Sequence, residues 1–236
     1  MPAVTVARTG GAVKKAFAWS YSRLKNYEVC PKRYYETDIA KTVKQDESEA
    51  LTWGNAVHEA MANRCGEHRM PLPEGMTEYE PWAVRMLGKR GEVFVEQDLA
   101  ITKHFTACGY FDRGVWFRAK GDFIRIVDDL GILADWKTGK IAPEDSFQLA
   151  LLAATVFAKF PQLQAVRASY VWLREDAETH ETFKRDDMPG MWRAIWPRIE
   201  RLERAHENTD FPAVQNRTCQ AWCGVKTCQY NGRSFR

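Results

Sequence analysis

The sequence predicts an α/β domain, because runs of strand-like alternation take turns with segments of helical periodicity along the chain. Two alternating runs, Asp122–Val127 and Ile132–Lys137, flank a turn at Asp128–Gly131 and predict an antiparallel hairpin. A largely apolar helix, Glu144–Lys159, then separates this hairpin from another alternating run, Val166–Leu173. This alternation establishes the fold class but leaves the order of the strands open.

The length and composition are those of an ordinary globular domain. A chain of 236 residues can bury a substantial core, and its net charge of +3 permits a local basic groove without predicting one. The longest apolar stretch, Leu149–Ala158, is too short to span a membrane, and the N-terminus has no apolar secretory core. We therefore expect a cytoplasmic protein, in which six cysteines are better explained as metal ligands or core residues than as disulfides.

The helices and the strand before the hairpin are predicted from helix-capping residues, helix-breaking residues and periodicity. Residues 1–17 lack periodicity and predict a flexible tail. Ser20 is a suitable N-cap for a helix over Tyr21–Tyr35, which Pro31 interrupts. A second helix is predicted over Ser48–Cys65. The remaining elements of this half are a helix over Pro81–Arg90 and a strand over Glu92–Ile101.

The elements after Val166–Leu173 complete the predicted domain. Glu178–Arg185 reads as an edge strand paired with that run. Met191–Asn208 has apolar residues at helical spacing and charged residues opposite them, which predicts an amphipathic helix. Residues 18–210 are therefore predicted to form the main domain, and residues 211–236 a cysteine-rich segment that packs on the N-terminal helix around Cys30.

Acidic and basic side chains are predicted to meet at one end of the hairpin. Asp135 and Lys137 project from the same side of their strand, and Asp122 begins the partner run. Two neighbouring carboxylates repel each other unless a cation lies between them, and hard oxygen ligands suit Mg²⁺ or Mn²⁺. A lysine beside such an ion can stabilise charge on a phosphoryl oxygen or orient a water molecule.

These residues resemble a known pattern. Asp122 followed by D-W-K-T-G at Asp135–Gly139 is similar to the D…D-x-K core of the PD-(D/E)XK nuclease superfamily, and more closely to its RecB-like exonuclease branch. The branch also carries an S-x-S-x-L-x-x-Y-x-x-C-P opening, found here at Ser20–Pro31, and a G-x-x-x-H motif, found here at Gly54 and His58. Each motif alone is weak, but their order and combination make the resemblance specific.

The resemblance implies a fold and an activity. The implied fold is restriction-endonuclease-like, with a mixed central sheet flanked by helices and a C-terminal cysteine-rich loop. The implied activity is hydrolysis of DNA phosphodiester bonds, most typically by an exonuclease in recombination, repair or replication, with a phage origin fitting the compact chain. By resemblance, His58, Asp122, Asp135 and the backbone carbonyl of Trp136 would bind Mg²⁺ or Mn²⁺, while Lys137 would position the nucleophile or stabilise the phosphate.

Two further residues match the branch. Glu96 stands where it often has a glutamate before the first aspartate, and the resemblance makes it an accessory residue. Gln148 matches a Q-x-x-x-Y motif on the helix after the hairpin, although Leu152 replaces the tyrosine. Gln148 is expected to orient Lys137 or to make a contact near the metal or the substrate strand. Without the resemblance, Glu96 and Gln148 read as solvated polar residues, and a lone His58 as a surface or core histidine.

Three cysteines in ten residues, Cys219, Cys223 and Cys228, have a spacing typical of metal ligands, and Cys30 is the obvious fourth. A remote N-terminal cysteine with a C-terminal trio resembles the iron–sulfur members of the branch, which include CRISPR-associated and AddB-type nucleases. The C-x3-C-x4-C spacing here departs from their commoner C-x2-C-x5-C. A [4Fe–4S] cluster or a structural zinc would tie the chain ends together, and free thiols in a loose tail are the alternative.

The expected partner is DNA that is single-stranded or has free ends, with no membrane involved. A helicase, a recombination partner or a homo-oligomer also remains open. A groove for DNA phosphates could be lined by four basic residues, which otherwise form a solvated helix face: Arg23, Lys25, Lys32 and Arg33. Two alternatives to an active nuclease are a non-catalytic DNA-binding adaptor on the same fold, and a structural metal-binding protein whose acidic hairpin is only surface.

Overall fold

A five-stranded mixed sheet forms the centre of the protein, with its strands in the order β1-β2-β3-β4-β5. The computed structural model describes residues 17–44, 48–142 and 145–234. The β3–β4 pair is parallel and the other three pairs are antiparallel. This arrangement confirms the predicted mixed α/β sheet. The strands are β1 Glu92–Ile101, β2 Phe117–Val127, β3 Leu130–Lys137, β4 Ala165–Trp172 and β5 Ala177–Lys184.

Helices cover both faces of the sheet and bury alternate residues of its strands. The main helices are α1 Tyr21–Val29, α2 Pro31–Tyr34, α3 Glu49–Cys65, α4 Glu80–Leu87, α5 Phe147–Lys159 and α6 Met188–Asn208. On one face, α1, α5 and α6 pack against a cluster that includes Ile124 and Leu133. On the other face, α3 and α4 pack against Phe123 and Ala134. None of the helices in the described part of the chain has the length and apolar character of a membrane span.

Helix α5 connects the two parallel strands β3 and β4 and lies in the core. Every residue from Leu149 to Phe157 is buried, as the apolar sequence predicts. A helix between the sheet and α6 has little surface left for polar groups, so those collect near its ends. The helix begins at Phe147, and the predicted start at Glu144 lies outside the described residues.

Several element boundaries differ from the sequence-based expectation for clear reasons. Asp122 does not begin its strand, because β2 extends back to Phe117 and pairs there with β1. Pro31 does restart the helix, as predicted, and occupies the first turn of α2, where a missing N–H costs nothing. Helix α6 begins at Met188 rather than Met191, with a proline again in its first turn.

The two ends of the described chain lie against the domain. Phe17, assigned to the tail by its sequence, packs its ring 4.6 Å from the ring of His206; the rest of the predicted tail lies outside the described residues. At the other end, Asn216 Nδ2 donates to Val29 O at 2.8 Å and Lys32 N donates to Pro212 O at 3.2 Å. The start of the C-terminal segment therefore lies beside the junction of α1 and α2.

Arg125 on β2 is an unusual member of the core. It is only 1% exposed, and its Nε and Nη2 have no hydrogen-bond partner among the described residues. Burial lowers the pKa of this guanidinium, with a further lowering by the charge of Arg69. Its Cζ lies 5.4 Å from the ring centroid of Phe123, a contact that offsets only part of the lost hydration.

Replacing Arg125 with methionine is expected to raise the free energy of unfolding by about 1–3 kcal/mol, because an apolar side chain of similar length avoids burying a partly unsatisfied cation. Urea unfolding of the two proteins measures the difference. Arg167→Met is the matched control, since Arg167 is half-exposed and paired with Glu178, and this change should cost less than about 1 kcal/mol. A destabilised Arg125→Met protein would contradict the prediction.

Candidate active site

The hairpin strands β2 and β3 separate where the two predicted carboxylates lie. The last pair of residues between these strands is Phe123 and Ala134, so Asp122 and Asp135 occupy the next position of the register. Strand β3 continues beyond this point only along β4. The backbone N–H of Trp136 donates to Asp122 Oδ2 at 2.9 Å, in the place of a ladder hydrogen bond. The fork between the strands therefore brings both aspartates to one location.

Glu96 faces the same fork from β1. The β1–β2 pairing skips it, with Val95 and Gln97 paired on either side, and its φ of 48° lies in the left-handed region. Such a conformation is uncommon for glutamate and costs energy, which is typical of functional sites. Its Oε2 lies 2.6 Å from Lys120 Nζ, whereas its Oε1 is buried without a hydrogen-bond partner in the described part of the chain.

Helix α3 brings a histidine to these carboxylates. His58 Nδ1 lies 3.3 Å from Asp122 Oδ2, and His58, Glu96 and Asp122 each offer a ligand atom within 4.8 Å of the others. Gly54, one helical turn earlier, lies beside Thr138, and a Cβ there would meet Thr138 Oγ1 at 3.5 Å, an ordinary van der Waals distance. The G-x-x-x-H spacing thus places the imidazole beside the fork and the glycine beside the segment after β3.

Asp135 is held by a chain of polar contacts on the other side of the fork. Its Oδ2 lies 2.8 Å from Lys137 Nζ, and its Oδ1 accepts a hydrogen bond from Gln148 Nε2 at 3.0 Å. The hydroxyl of Tyr170 donates to Gln148 Oε1 at 3.4 Å, and the Tyr170 ring centroid lies 4.8 Å from Lys137 Nζ. Gln148 therefore orients Asp135 directly, and Tyr170 contacts both Gln148 and Lys137.

The electrostatics of the fork favour a bound cation. Burial raises the pKa of Asp135 to about 6, the charge of Asp122 adds to this, and Lys137 and His58 oppose it. Burial disfavours a charge on His58, but the hydrogen bond and charge of Asp122 outweigh it and raise the pKa above the ordinary 6.5. Both groups therefore hold protons more firmly than usual, and a divalent cation could take the place of these protons in offsetting the negative charge of the carboxylates.

We expect the metal-free protein to lose stability as the pH rises through this range. A carboxyl whose pKa is higher in the folded than in the unfolded chain binds more protons when folded, here between pH 3.8 and about 6. The contribution of Asp135 to the free energy of unfolding is therefore fully present below pH 3.8. About 3 kcal/mol of it is lost as the pH rises through about 6. His58, whose pKa is also raised, acts in the same direction at higher pH.

This pH dependence is measured by urea unfolding in EDTA at a series of pH values, for wild type and for Asp135→Asn. The amide cannot titrate. The free energy of unfolding of the wild type should therefore fall relative to that of Asp135→Asn as the pH rises from 4 to 7. The difference between the two proteins removes the contributions of titrating groups that do not interact with Asp135. A difference that stays constant across the range would contradict the prediction.

The donor set fits a hard divalent cation. Two carboxylates and an imidazole offer ligand atoms within 4.8 Å of one another, and such ligands suit Mg²⁺ or Mn²⁺. Glu96 Oε1 is buried without a hydrogen-bond partner in the described part of the chain. Glu96 is thus part of the close cluster, although its sequence indicated only an accessory role. Asp135, which the sequence predicts in the same ligand set, forms an ion pair with Lys137. The ligand role of the Trp136 carbonyl stays a prediction, and the indole of that residue is buried in the core.

Two clefts meet at the fork, and Lys120 lines both of them. The first, of about 910 Å³, lies along α3 and contains His58, Glu96 and Asp122. The second, of about 490 Å³, lies between α1 and β2 and contains Asp135 and Gln148. The two clefts therefore share Lys120, and each contains one aspartate of the fork.

Of the basic residues proposed to line a groove, only Lys25 lines one of these two clefts. Arg23 instead donates to Ala18 O at 3.1 Å, since residues two apart on a helix lie on different faces. Lys32 and Arg33 lie beside the cysteines, because α1 ends at Val29 and α2 takes a new direction.

The four predicted cysteine ligands line a single small cavity. Cys30 Sγ accepts from Val214 N at 3.5 Å, and Cys219 Sγ accepts from Asn216 N at 3.4 Å. Backbone N–H groups directed at sulfur also occur around metal-bound thiolates, whose charge they stabilise. Cys223 and Cys228 complete the cavity lining, so residues almost two hundred positions apart meet at one place.

Comparison with known proteins agrees with this fold. A family model for the PD-(D/E)XK nuclease superfamily matches residues 18–231. A solved structure from Eubacterium rectale, described as a candidate exonuclease, aligns with a TM-score of 0.54 at 12% identity, over 99% of this chain and 96% of the other. The structure of SSO0001 aligns with a TM-score of 0.46 at 13% identity, over 93% and 89% of the chains. No curated protein is significantly similar in sequence.

Proposed function

The chain belongs to the PD-(D/E)XK nuclease superfamily, and on that basis we propose that it is a divalent-metal-dependent deoxyribonuclease that acts as an exonuclease. The observation that carries this proposal is the fork between β2 and β3. There, Asp122 and the cluster it forms with His58 and Glu96 lie next to the pair of Asp135 and Lys137. This combination of metal ligands and a cation suits phosphodiester hydrolysis.

The cluster of His58, Glu96 and Asp122 would hold a Mg²⁺ or Mn²⁺ ion, with Asp135 facing it from across the fork. Such an ion supplies Lewis acidity toward a phosphoryl oxygen and toward water. The protein supplies its own electrostatics through Lys137, whose ammonium is held between Asp135 and the Tyr170 ring. There it stabilises negative charge that develops on the phosphate or orients the attacking water.

Gln148 acts as a positioning residue. Its amide holds Asp135 at 3.0 Å, and its own orientation is held by the Tyr170 hydroxyl. A carboxylate fixed in this way keeps Lys137 in place, since the two are paired at 2.8 Å. Preorganised charges of this kind need no rearrangement during the reaction, which is the main source of their catalytic effect.

A non-catalytic adaptor on the same fold fits the structure less well. Such a protein has no need for a half-buried glutamate in the left-handed region, with one buried carboxylate oxygen that has no hydrogen-bond partner among the described residues, beside an intact D…D-x-K set. The Eubacterium rectale neighbour, described as a candidate exonuclease, is consistent with cleavage from DNA ends. We further propose the RecB-like branch, a cytoplasmic role in recombination, repair or replication and a phage-like origin, on the motif combination alone.

For the cysteines we propose a [4Fe–4S] cluster, with structural zinc as the alternative, because a remote Cys30 with a C-terminal trio resembles the iron–sulfur members of the branch. In a four-cysteine zinc site, Zn–S bonds of about 2.3 Å place the sulfurs about 3.8 Å apart. Within the described residues, no three of these cysteines bring their sulfurs within 4.8 Å of one another. In a cluster, by contrast, each cysteine binds a different iron. Either group would link the chain ends and leave the fork unaltered.

End-labelled linear single-stranded DNA, with a closed circular strand as control, tests the nuclease proposal. Each substrate is incubated with Mg²⁺, with Mn²⁺ and with EDTA, using wild type and Asp135→Ala. We expect metal-dependent loss of the linear substrate alone, abolished by the substitution. Cleavage of the circle would make the protein an endonuclease. If the wild type cleaved neither strand nor duplex DNA with either metal but still bound DNA, the adaptor would replace the nuclease as our proposal.

A further inference from the structure

A pair of aromatic residues, one half-buried and one exposed, lies beside the second cleft. Tyr110 and Phe111 lie in the segment between β1 and β2, with ring centroids 5.1 Å apart and an interplanar angle of 78°. The Phe111 side chain is 85% exposed, and Tyr110 lines the cleft. A single exposed aromatic residue is ordinary on a protein surface, whereas this pair contacts a basic residue that lines the cleft.

The pair is fixed to the sheet by a strand arginine. Arg118 Nε donates to Tyr110 O at 2.7 Å, and its Cζ lies 5.4 Å from the Tyr110 ring centroid and 6.0 Å from that of Phe111. Arg118 belongs to β2 and projects to the same side as Lys120 and Asp122, because side chains alternate along a strand. Strand β2 thus contains both Arg118, which contacts the aromatic pair, and Asp122 of the fork.

The cleft between the aromatic pair and the fork has the chemistry of a nucleic-acid channel. Arg118 and Lys120 line it from β2, and Lys25 lines it from α1. Lys25 is exposed and makes no ion pair with a described residue. Asp135 and Gln148 line the end of the cleft that belongs to the fork. Cations suit phosphates, and exposed aromatic rings suit the faces of unpaired bases.

We propose that Tyr110 and Phe111, held by Arg118, form a nucleobase-stacking site that receives an unpaired DNA strand next to the bond that is cleaved. This inference rests on the proposed nuclease function and adds a substrate-binding site to it. Stacking on an aromatic ring tolerates any base, so the site binds without reading sequence. Bases inside a duplex are already stacked on each other, so the site favours single strands and frayed ends.

Equilibrium binding of a fluorescent oligothymidine, followed by anisotropy in EDTA, tests the site without cleavage. The same backbone with abasic positions serves as the second probe. Phe111→Ala is expected to weaken binding of the oligothymidine about tenfold and to leave binding of the abasic strand unchanged. Phe111→Trp should retain wild-type affinity. Trp222→Ala is the matched control, since Trp222 is 81% exposed and lies between Cys219 and Cys223 in the C-terminal segment, whereas Phe111 contacts Tyr110 of the cleft lining.

The outcomes separate this inference from the nuclease proposal. If Phe111→Ala bound oligothymidine as tightly as wild type, or lost affinity equally for both probes, the stacking site would be wrong even where the wild type hydrolyses DNA. If the wild type hydrolysed no DNA with Mg²⁺ or Mn²⁺, while Phe111→Ala still lost its preference for bases, the stacking site would stand and the nuclease proposal would fail. Because Phe111 is exposed, the substitution should not disturb folding.

Discussion

Replacing Asp122 with asparagine is expected to lower the rate of DNA hydrolysis about a thousandfold or more. The amide keeps the shape of the side chain and can still accept the hydrogen bond from Trp136 N. It removes the negative charge that His58 and the proposed cation share, and losing such preorganised electrostatics typically costs two to three orders of magnitude or more. Single-turnover rates at saturating Mn²⁺ measure the effect, and calorimetry measures Mn²⁺ affinity.

Asp128→Asn is the matched control for this experiment. Asp128 lies in the turn of the same hairpin, its side chain is 75% exposed, and its only ion pair among the described residues is with Arg90. Its substitution should leave both hydrolysis and Mn²⁺ binding close to wild type. If Asp122→Asn retained more than a tenth of the wild-type rate, Asp122 would not be a catalytic ligand, and the cleavage chemistry would have to be assigned to other residues.

Replacing Cys30 with serine is expected to lower the free energy of unfolding by about 4–5 kcal/mol, more than any other substitution proposed for this protein. The variant should also lose the visible absorbance of an iron–sulfur protein. The proposed cluster links Cys30 to Cys219, Cys223 and Cys228, and a cross-link that closes a loop of this length strongly restricts the unfolded chain. For a chain of this size the melting temperature should fall by about 10 °C or more.

Absorbance spectra of anaerobically purified protein and thermal unfolding measure these two effects. Cys108→Ser is the matched control, because Cys108 is half-buried and lies outside the cysteine cavity. It should keep both the absorbance and the stability. A colourless wild type that binds zinc would overturn the cluster but keep the cross-link, whereas equal stability of Cys30→Ser and wild type would show that the cysteines are free thiols.

The residues of the hairpin were predictable because their geometry is local. A strand repeats every two residues, so Asp135 and Lys137 had to share a side, and the turn at Asp128 had to bring the two strands together. In the same way, the helical repeat placed Gly54 and His58 on one face of α3. The superfamily and the mixed α/β fold, both predicted from these motifs, are confirmed.

The composition of the site was decided by contacts that no local pattern encodes. Tyr170 reaches Gln148 and Lys137 because the parallel register sets it beside Asp135, and strand register depends on the whole sheet. Nothing in the run around Tyr170 sets it apart from an ordinary core aromatic. The aromatic pair at the second cleft was missed for the same reason, because its place depends on how α1 packs against β2.

The sequence by itself therefore predicted the superfamily, and it placed His58 on a helix and Glu96, Asp122 and Asp135 on strands, where the structure also has them. Only the tertiary structure decided how they are grouped, with Glu96 joining His58 and Asp122 while Asp135 pairs with Lys137. The physical reason is the range of the forces involved. Periodicity and caps act over a few residues, whereas strand separation, a left-handed glutamate and buried charge are set by packing between distant segments.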